Sequence, residues 1–151
     1  MRTVPFPARR ESGMMLIEAL VAILIFSIGI LALVGLQATA VKQSTDSRYR
    51  AEAAALASEL IAEMWVSNRD PATLEANFEG AAGSGGARYA AWATRVGTIL
   101  PGASGATAPS VAIDGAGTAL PGSVLVTLTW LAPNEPAGAT PHSYVTRTVV
   151  R

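Results

Sequence analysis

The chain contains no cysteine, a single histidine and no excess of either charge. The absence of cysteine excludes disulfides, thiolate metal sites, cysteine nucleophiles and a lipid-modified cysteine anchor. Eleven Lys and Arg residues balance eleven Asp and Glu residues, so the bulk charge does not indicate nucleic acid as a partner. A length of 151 residues suits one compact domain with appended segments.

Residue patterns typical of an active site, metal site or cofactor site are also missing. His142 follows Pro141 with no Cys, Asp or Glu at ligand spacing, which predicts a surface histidine. The stretch "GAAGSGGA" (80–87) lacks the Lys-Ser/Thr of a phosphate loop, so it predicts a flexible loop. The carboxylates after Pro71 are scattered rather than paired: Glu75, Glu79, Asp114 and Glu135. The sequence therefore predicts a non-enzyme without cofactor or metal.

Proline is absent between Pro7 and Pro71, which permits a long uninterrupted helix. Apolar side chains run almost unbroken over residues 14–36, about the 20 residues that a transmembrane helix needs. Residues 1–13 carry three arginines and predict a cytoplasmic leader. Lys and Arg counts are equal on the two sides of the run, but the very short N-terminal segment favours a cytoplasmic N-terminus.

Residues 37–70 predict the amphipathic half of the same helix, which we expect to extend from about Met14 to about Ser67. The segment "NRDP" (68–71) predicts its end, because a residue before proline avoids the α region. Charged residues occupy one side of this half: Arg48, Glu52, Glu59 and Glu63. Apolar residues recur at spacings of three and four on the other side: Tyr49, Ala53, Leu56, Leu60 and Met64, widened by Ala57, Ile61 and Trp65.

Residues 71–151 combine Gly-rich loops with short β candidates. The alternation in "VLVTLTWL" (124–131) predicts a half-buried strand, and "SYVTRTVV" (143–150) predicts a second. "RYAAWATRV" (88–96) is a weaker third that is equally compatible with a helix, and "SVAI" (110–113) suits a short edge strand. The predicted fold class is α+β, with a small antiparallel sheet packed against the amphipathic half of the helix. Three tryptophans are expected in its core: Trp65, Trp92 and Trp130.

Glu18 lies five residues into the apolar run, where a carboxylate costs roughly 2.5–3.5 kcal/mol at the bilayer centre. One interpretation is a simple membrane anchor with the acid near the interface. A second is a secretory signal peptide cleaved after Ala40, at the "ATA" of residues 38–40, releasing a sheet-rich binding domain. Against the second, the apolar core exceeds the usual 7–15 residues and the amphipathic stripe continues past the cut.

A third interpretation accounts for the acid. The stretch "GMMLIE" (13–18) resembles the class III signal of type IV pilins, in which a short basic leader ends in glycine and glutamate is fifth after the cut. The resemblance implies that prepilin peptidase cleaves between Gly13 and Met14 and methylates the new amine of Met14. It also implies that Glu18 serves subunit pairing during assembly.

The apolar segment is similar to the N-terminal helix of PilV-type minor pilins, including "LVGLQ" (33–37). This resemblance implies a pilin fold and a minor pilin acting in pilus assembly and priming, with a minor pseudopilin of type II secretion as the alternative. It implies an inner-membrane protein with a periplasmic head, later part of the pilus at the cell surface. The expected partners are prepilin peptidase, major and minor pilins, the assembly machinery and inner-membrane lipid. Met14, Met15 and "ESG" (11–13) depart from the commoner residues of the signal.

Overall fold

The computed structural model describes residues 12–133, 135–136 and 138–151. They form an α+β arrangement, as predicted, and divide into a first compact unit that ends at Gln43 and a second that begins at Ser44. In chain order the elements are α1 (Ser12–Val66), α2 (Pro71–Phe78), β1 (Gly80–Ala81), β2 (Ser84–Gly85), α3 (Ala87–Ile99), a 3-10 turn (Gly105–Thr107), β3 (Ser110–Ile113), β4 (Ser123–Trp130) and β5 (His142–Val149).

The described part of the first unit is entirely helical and belongs to α1. Every residue from Gly13 to Gln43 is exposed, so no apolar side chain there is buried within the unit. The segment is long and apolar enough to cross a membrane. Residues 1–11 of the predicted leader lie outside the described residues, and the helix already includes Ser12 and Gly13.

The second unit contains a five-stranded antiparallel sheet in the order β2-β1-β3-β4-β5. Both predicted strands of the C-terminal region are confirmed as β4 and β5, and they pair along their whole length from Ser123↔Val149 to Trp130↔His142. The strand predicted at 110–113 is confirmed as β3, but its predicted edge position is wrong, because β3 lies between β1 and β4. The loop predicted at 80–87 contains the short β1–β2 hairpin, which extends the sheet past β3.

The apolar stripe of α1 packs into the core of the second unit, as the spacing predicts. Leu56, Leu60 and Met64 are buried in one cluster with the inward residues of β4. Trp65 is the exception: it is 45% exposed, next to Arg69, whose guanidinium carbon lies 5.9 Å from its ring centroid. The β4 residues in the cluster alternate as predicted: Val124, Val126, Leu128 and Trp130.

Residues 88–96 form a helix, which settles the ambiguity of this segment. In α3 the buried residues Tyr89, Trp92 and Val96 follow each other at spacings of three and four, the period of one helix face. The Trp92 Nε1–H donates to the carbonyl oxygen of Leu56 at 3.0 Å, which attaches α3 to α1. The reason is tertiary: one apolar face meets α1, whereas a strand would alternate its side chains between two faces.

The helix α2 was not predicted from the sequence, although its starting signal is present. Asp70 caps the helix, since its Oδ2 accepts from the backbone N–H of Thr73 at 3.2 Å, and Pro71 occupies the first turn. Leu74 and Phe78, four residues apart, are buried in the core. The stop signal for α1 at 68–71 is therefore also the start of α2.

Candidate processing and assembly segment

Gly13 is a helical position that the chain's own packing does not require to be glycine. A Cβ added to Gly13 would meet no atom within 4 Å beyond its chain neighbours and the adjacent helix backbone. By contrast, a Cβ on Gly86 would overlap the backbone of Asn77. Gly13 lies in the first turn of α1, and no packing among the described residues requires glycine there, as is also true of Gly29 and Gly35.

Glu18 is the only charged residue between Gly13 and Val41. Its side chain is exposed and makes no hydrogen bond or ion pair with any described residue. Two uncharged polar groups in the same segment are satisfied locally: the Ser27 hydroxyl donates to the Ile23 carbonyl at 2.7 Å and the Thr39 hydroxyl to the Gly35 carbonyl at 3.0 Å. The carboxylate is therefore the one charged group of this segment, and no described residue pairs with it.

Met14 and Glu18 are four residues apart in α1, so they lie on the same face about one turn from each other. Met14 is 78% exposed, and the peptide bond between Gly13 and Met14 lies at the start of the helix. A new amino group at Met14 would place a positive charge one turn from the carboxylate of the same chain.

The alternative cleavage site after Ala40 lies in the middle of α1. The helix continues without a break through residues 38–40 and ends only at Val66. A protease that needs an extended substrate would have to unwind the helix here on both sides. The predicted secretory cleavage site therefore lies in neither a loop nor a helix end.

The charged side of α1 in the second unit forms ion pairs rather than a ligand site. Glu63 pairs with Arg88 and Glu59 pairs with Arg95, so both pairs join α1 to α3. Arg48 donates to Glu52 at 2.9 Å one turn along the helix. This hydrogen bond, with the charge of Glu52, raises the pKa of the exposed Arg48 guanidinium above its ordinary value. Such exposed pairs contribute little to stability, typically ~0–1 kcal/mol.

His142 is the one candidate residue whose surroundings the sequence did not predict. Its Nε2 lies 2.8 Å from Oε1 of Glu135, and its ring stacks on Trp130 with 5.7 Å between ring centroids. The prediction of a surface histidine is therefore wrong in part, since only 34% of the side chain is exposed. Glu135 precedes His142 by seven positions, and the fold of the chain before β5 brings the two side chains together. Among the described residues no cluster of His, Asp and Glu suits a metal ion.

Comparisons with models of known protein families, with curated proteins and with solved structures find no match for this chain.

Proposed function

We propose that the chain is a minor pilin of a type IV pilus, processed by prepilin peptidase and assembled through its N-terminal helix. The observation that carries the proposal is Glu18, an unpartnered carboxylate fifth after Gly13 in a helix otherwise free of charge from Gly13 to Val41. The α+β second unit, with the stripe of α1 in its core, suits a pilin head. Membrane insertion before assembly agrees with an apolar segment exposed along its whole length.

Processing would hydrolyse the Gly13–Met14 peptide bond, leaving the carboxylate on the leader and an ammonium group on Met14. Gly13 suits this step because a residue without a side chain lets the backbone enter a narrow protease cleft. Transfer of a methyl group to the amine of Met14 keeps its positive charge.

Assembly would supply the partner that Glu18 lacks. The helix dipole favours an acid in the first turn by only ~0.3–1 kcal/mol, which is too little to offset the cost of hydrocarbon. The methylated amine of a neighbouring subunit, one step along a bundle of parallel helices, would pair with the carboxylate. Breaking a buried pair of this kind typically costs about 3–5 kcal/mol, so the pair would set the register between subunits.

The N-terminus of the mature protein tests this function. We expect N-terminal sequencing and intact mass of the membrane-extracted protein to show a chain that begins at Met14 and carries one methyl group. Gly13→Leu should leave the full-length precursor in the inner membrane. Gly29→Leu is the matched control, because Gly29 lies in the same helix and also has open space around it. A chain that begins at Val41 would refute the proposal and establish a released domain.

Membership in a type II secretion system is the second candidate within the same family. The same N-terminal segment would serve a minor pseudopilin, so the cleavage experiment does not separate the two. Loss of surface pili, as opposed to loss of protein secretion, in a strain that lacks the chain distinguishes them.

A further inference from the structure

A cavity of about 370 Å³ lies in the second unit where the start of β5 meets α1. Its chemistry is mixed, with one carboxylate, one guanidinium, two hydroxyls and two rings. The lining consists of Asp46, Ser47, Arg50, Trp130, His142 and Ser143.

Two polar atoms of this lining are buried without a hydrogen-bond partner among the described residues. They are Oδ1 of Asp46, an acceptor, and Nε1 of Trp130, a donor. Trp130 is only 2% exposed, whereas the long side chain of Arg50 is exposed and free to shift when a ligand enters. Buried polar groups are nearly always hydrogen-bonded in folded proteins, so an unsatisfied donor and acceptor in one cavity indicate a missing group that supplies both.

The free edge of β5 begins in the same cavity, at Ser143. The Val150 N–H donates to the Gly122 carbonyl oxygen at 2.8 Å, so the N–H of Val150 faces β4. Successive residues of a strand alternate the direction of their backbone groups. The N–H and C=O groups of Ser143, Val145, Arg147 and Val149 therefore face away from β4, and no described residue pairs with them.

This edge lacks the usual protection against pairing with another chain. Natural edge strands are short, carry several charges or contain proline or a bulge. β5 is eight residues long with one charge, Arg147, and its outward Val145 is 55% exposed. The opposite edge of the sheet, β2, has only two residues. The β2 edge is thus protected by its short length, whereas the β5 edge is long and unpaired among the described residues.

We propose that the β5 edge and the cavity at its start form one binding site for an extended segment of a different polypeptide. The segment adds a sixth strand along Ser143–Val149 by backbone hydrogen bonds. A peptide group at its end enters the cavity, where its C=O accepts from Trp130 Nε1–H and its N–H donates to Asp46 Oδ1. A peptide group is suitable because it carries one donor and one acceptor.

The charge of the edge also restricts the partner. Opposite charges on directly facing residues of paired strands stabilise the pair, and like charges destabilise it. We expect an acidic residue opposite Arg147 and β-branched residues opposite the exposed valines. The proposed binding site lies entirely in the second unit. It therefore goes beyond the proposed function and does not depend on which assembly the N-terminal segment serves.

The probe is a capped peptide of alternating valine and threonine with one central glutamate, titrated into the full-length protein in detergent micelles. Binding should slow the hydrogen exchange of the Val145 and Arg147 backbone amides and shift the indole N–H resonance of Trp130. The indole N–H of Trp92, already bonded to Leu56, should not move. The same peptide with lysine in place of glutamate should bind more weakly.

Two variants test separately how much the β5 edge and the cavity contribute to peptide binding. Val145→Pro removes an outward N–H that β4 does not use and should weaken peptide binding by about tenfold, since one hydrogen bond is worth roughly that factor. Val145→Ala, which keeps the N–H, should bind as the wild type does. Asp46→Leu removes the acceptor while keeping the branched shape of the side chain, and it should weaken binding by a similar factor. An unshifted Trp92 indole N–H verifies that each variant is folded, and if Val145→Pro unfolds, Asp46→Leu decides.

Three results would overturn the proposal. The first is no protection of the β5 amides at any peptide concentration. The second is protection that rises with protein concentration without peptide, because the occupant would then be a second copy of this chain. The third is a Trp130 shift produced by N-methylacetamide while the peptide protects no amide, because the cavity would then bind a small amide and not a strand.

Discussion

Replacing Leu60 by alanine tests whether α1 forms one wall of the head's core. Leu60 is 0% exposed and lies in the cluster that contains Val126 and Leu128. The substitution deletes three carbon groups, each worth about 0.8 kcal/mol of transfer free energy, and leaves a cavity that adds to the cost. Alanine is at least as good a helix former as leucine, so helix propensity does not contribute to the loss. We expect the free energy of unfolding to fall by about 3–4 kcal/mol, within the usual range for Leu→Ala.

Denaturant unfolding of the full-length protein in micelles, followed by tryptophan fluorescence, measures this loss. Val66→Ala is the matched control, because Val66 ends the same helix and is 87% exposed. The control should change the unfolding free energy by no more than about 0.5 kcal/mol. A Leu60→Ala loss below about 1 kcal/mol, or one equal to that of the control, would show that the stripe of α1 does not support the head.

Three further perturbations act at other places in the chain. Glu18→Ala should leave insertion and cleavage intact but lower the amount recovered in sheared pili relative to processed protein in the membrane; wild-type incorporation would refute the pairing role. Asp70→Ala should lower the unfolding free energy by about 0.5–2 kcal/mol through loss of the α2 cap, and an unchanged denaturation midpoint would contradict that. Gly86→Ala should cost about 1–3 kcal/mol, because its Cβ would overlap the Asn77 backbone; a thermal midpoint equal to the wild type would exclude the overlap.

The sequence pattern alone predicted a helix or strand correctly wherever that element has a simple, uniform environment. Residues 14–36 are apolar apart from Glu18 and Ser27, so their helix follows from composition and length alone. The alternation of β4 predicted which residues point inward, because the strand's period of two is a property of the backbone. The stripe of α1 was predicted in the same way up to Met64. Gly13, Met14 and Glu18 were singled out by the resemblance of residues 13–18 to a known processing signal, and their roles remain predictions.

The tertiary structure decided what depends on neighbours distant in the chain. Residues 88–96 suit a strand or a helix by themselves, and the contact of Trp92 with α1 selects the helix. Trp65 belongs to the apolar stripe by spacing, but it lies near the end of α1 and remains exposed. The sequence "SVAI" suits an edge strand, but in the fold the hairpin at 80–85 pairs with its free side.

The same distinction applies to the two candidate sites. The processing proposed for residues 13–18 rests on a linear motif, which can be recognised in the sequence because its residues are consecutive. The cavity at β5 joins Asp46, from a helix, to Trp130 and His142, from two strands. No spacing in the sequence links these residues, because their proximity results from packing a helix against a sheet. The sequence alone singled out the segment for which we propose membrane insertion and cleavage, whereas only the folded second unit brings together the residues of the proposed binding site.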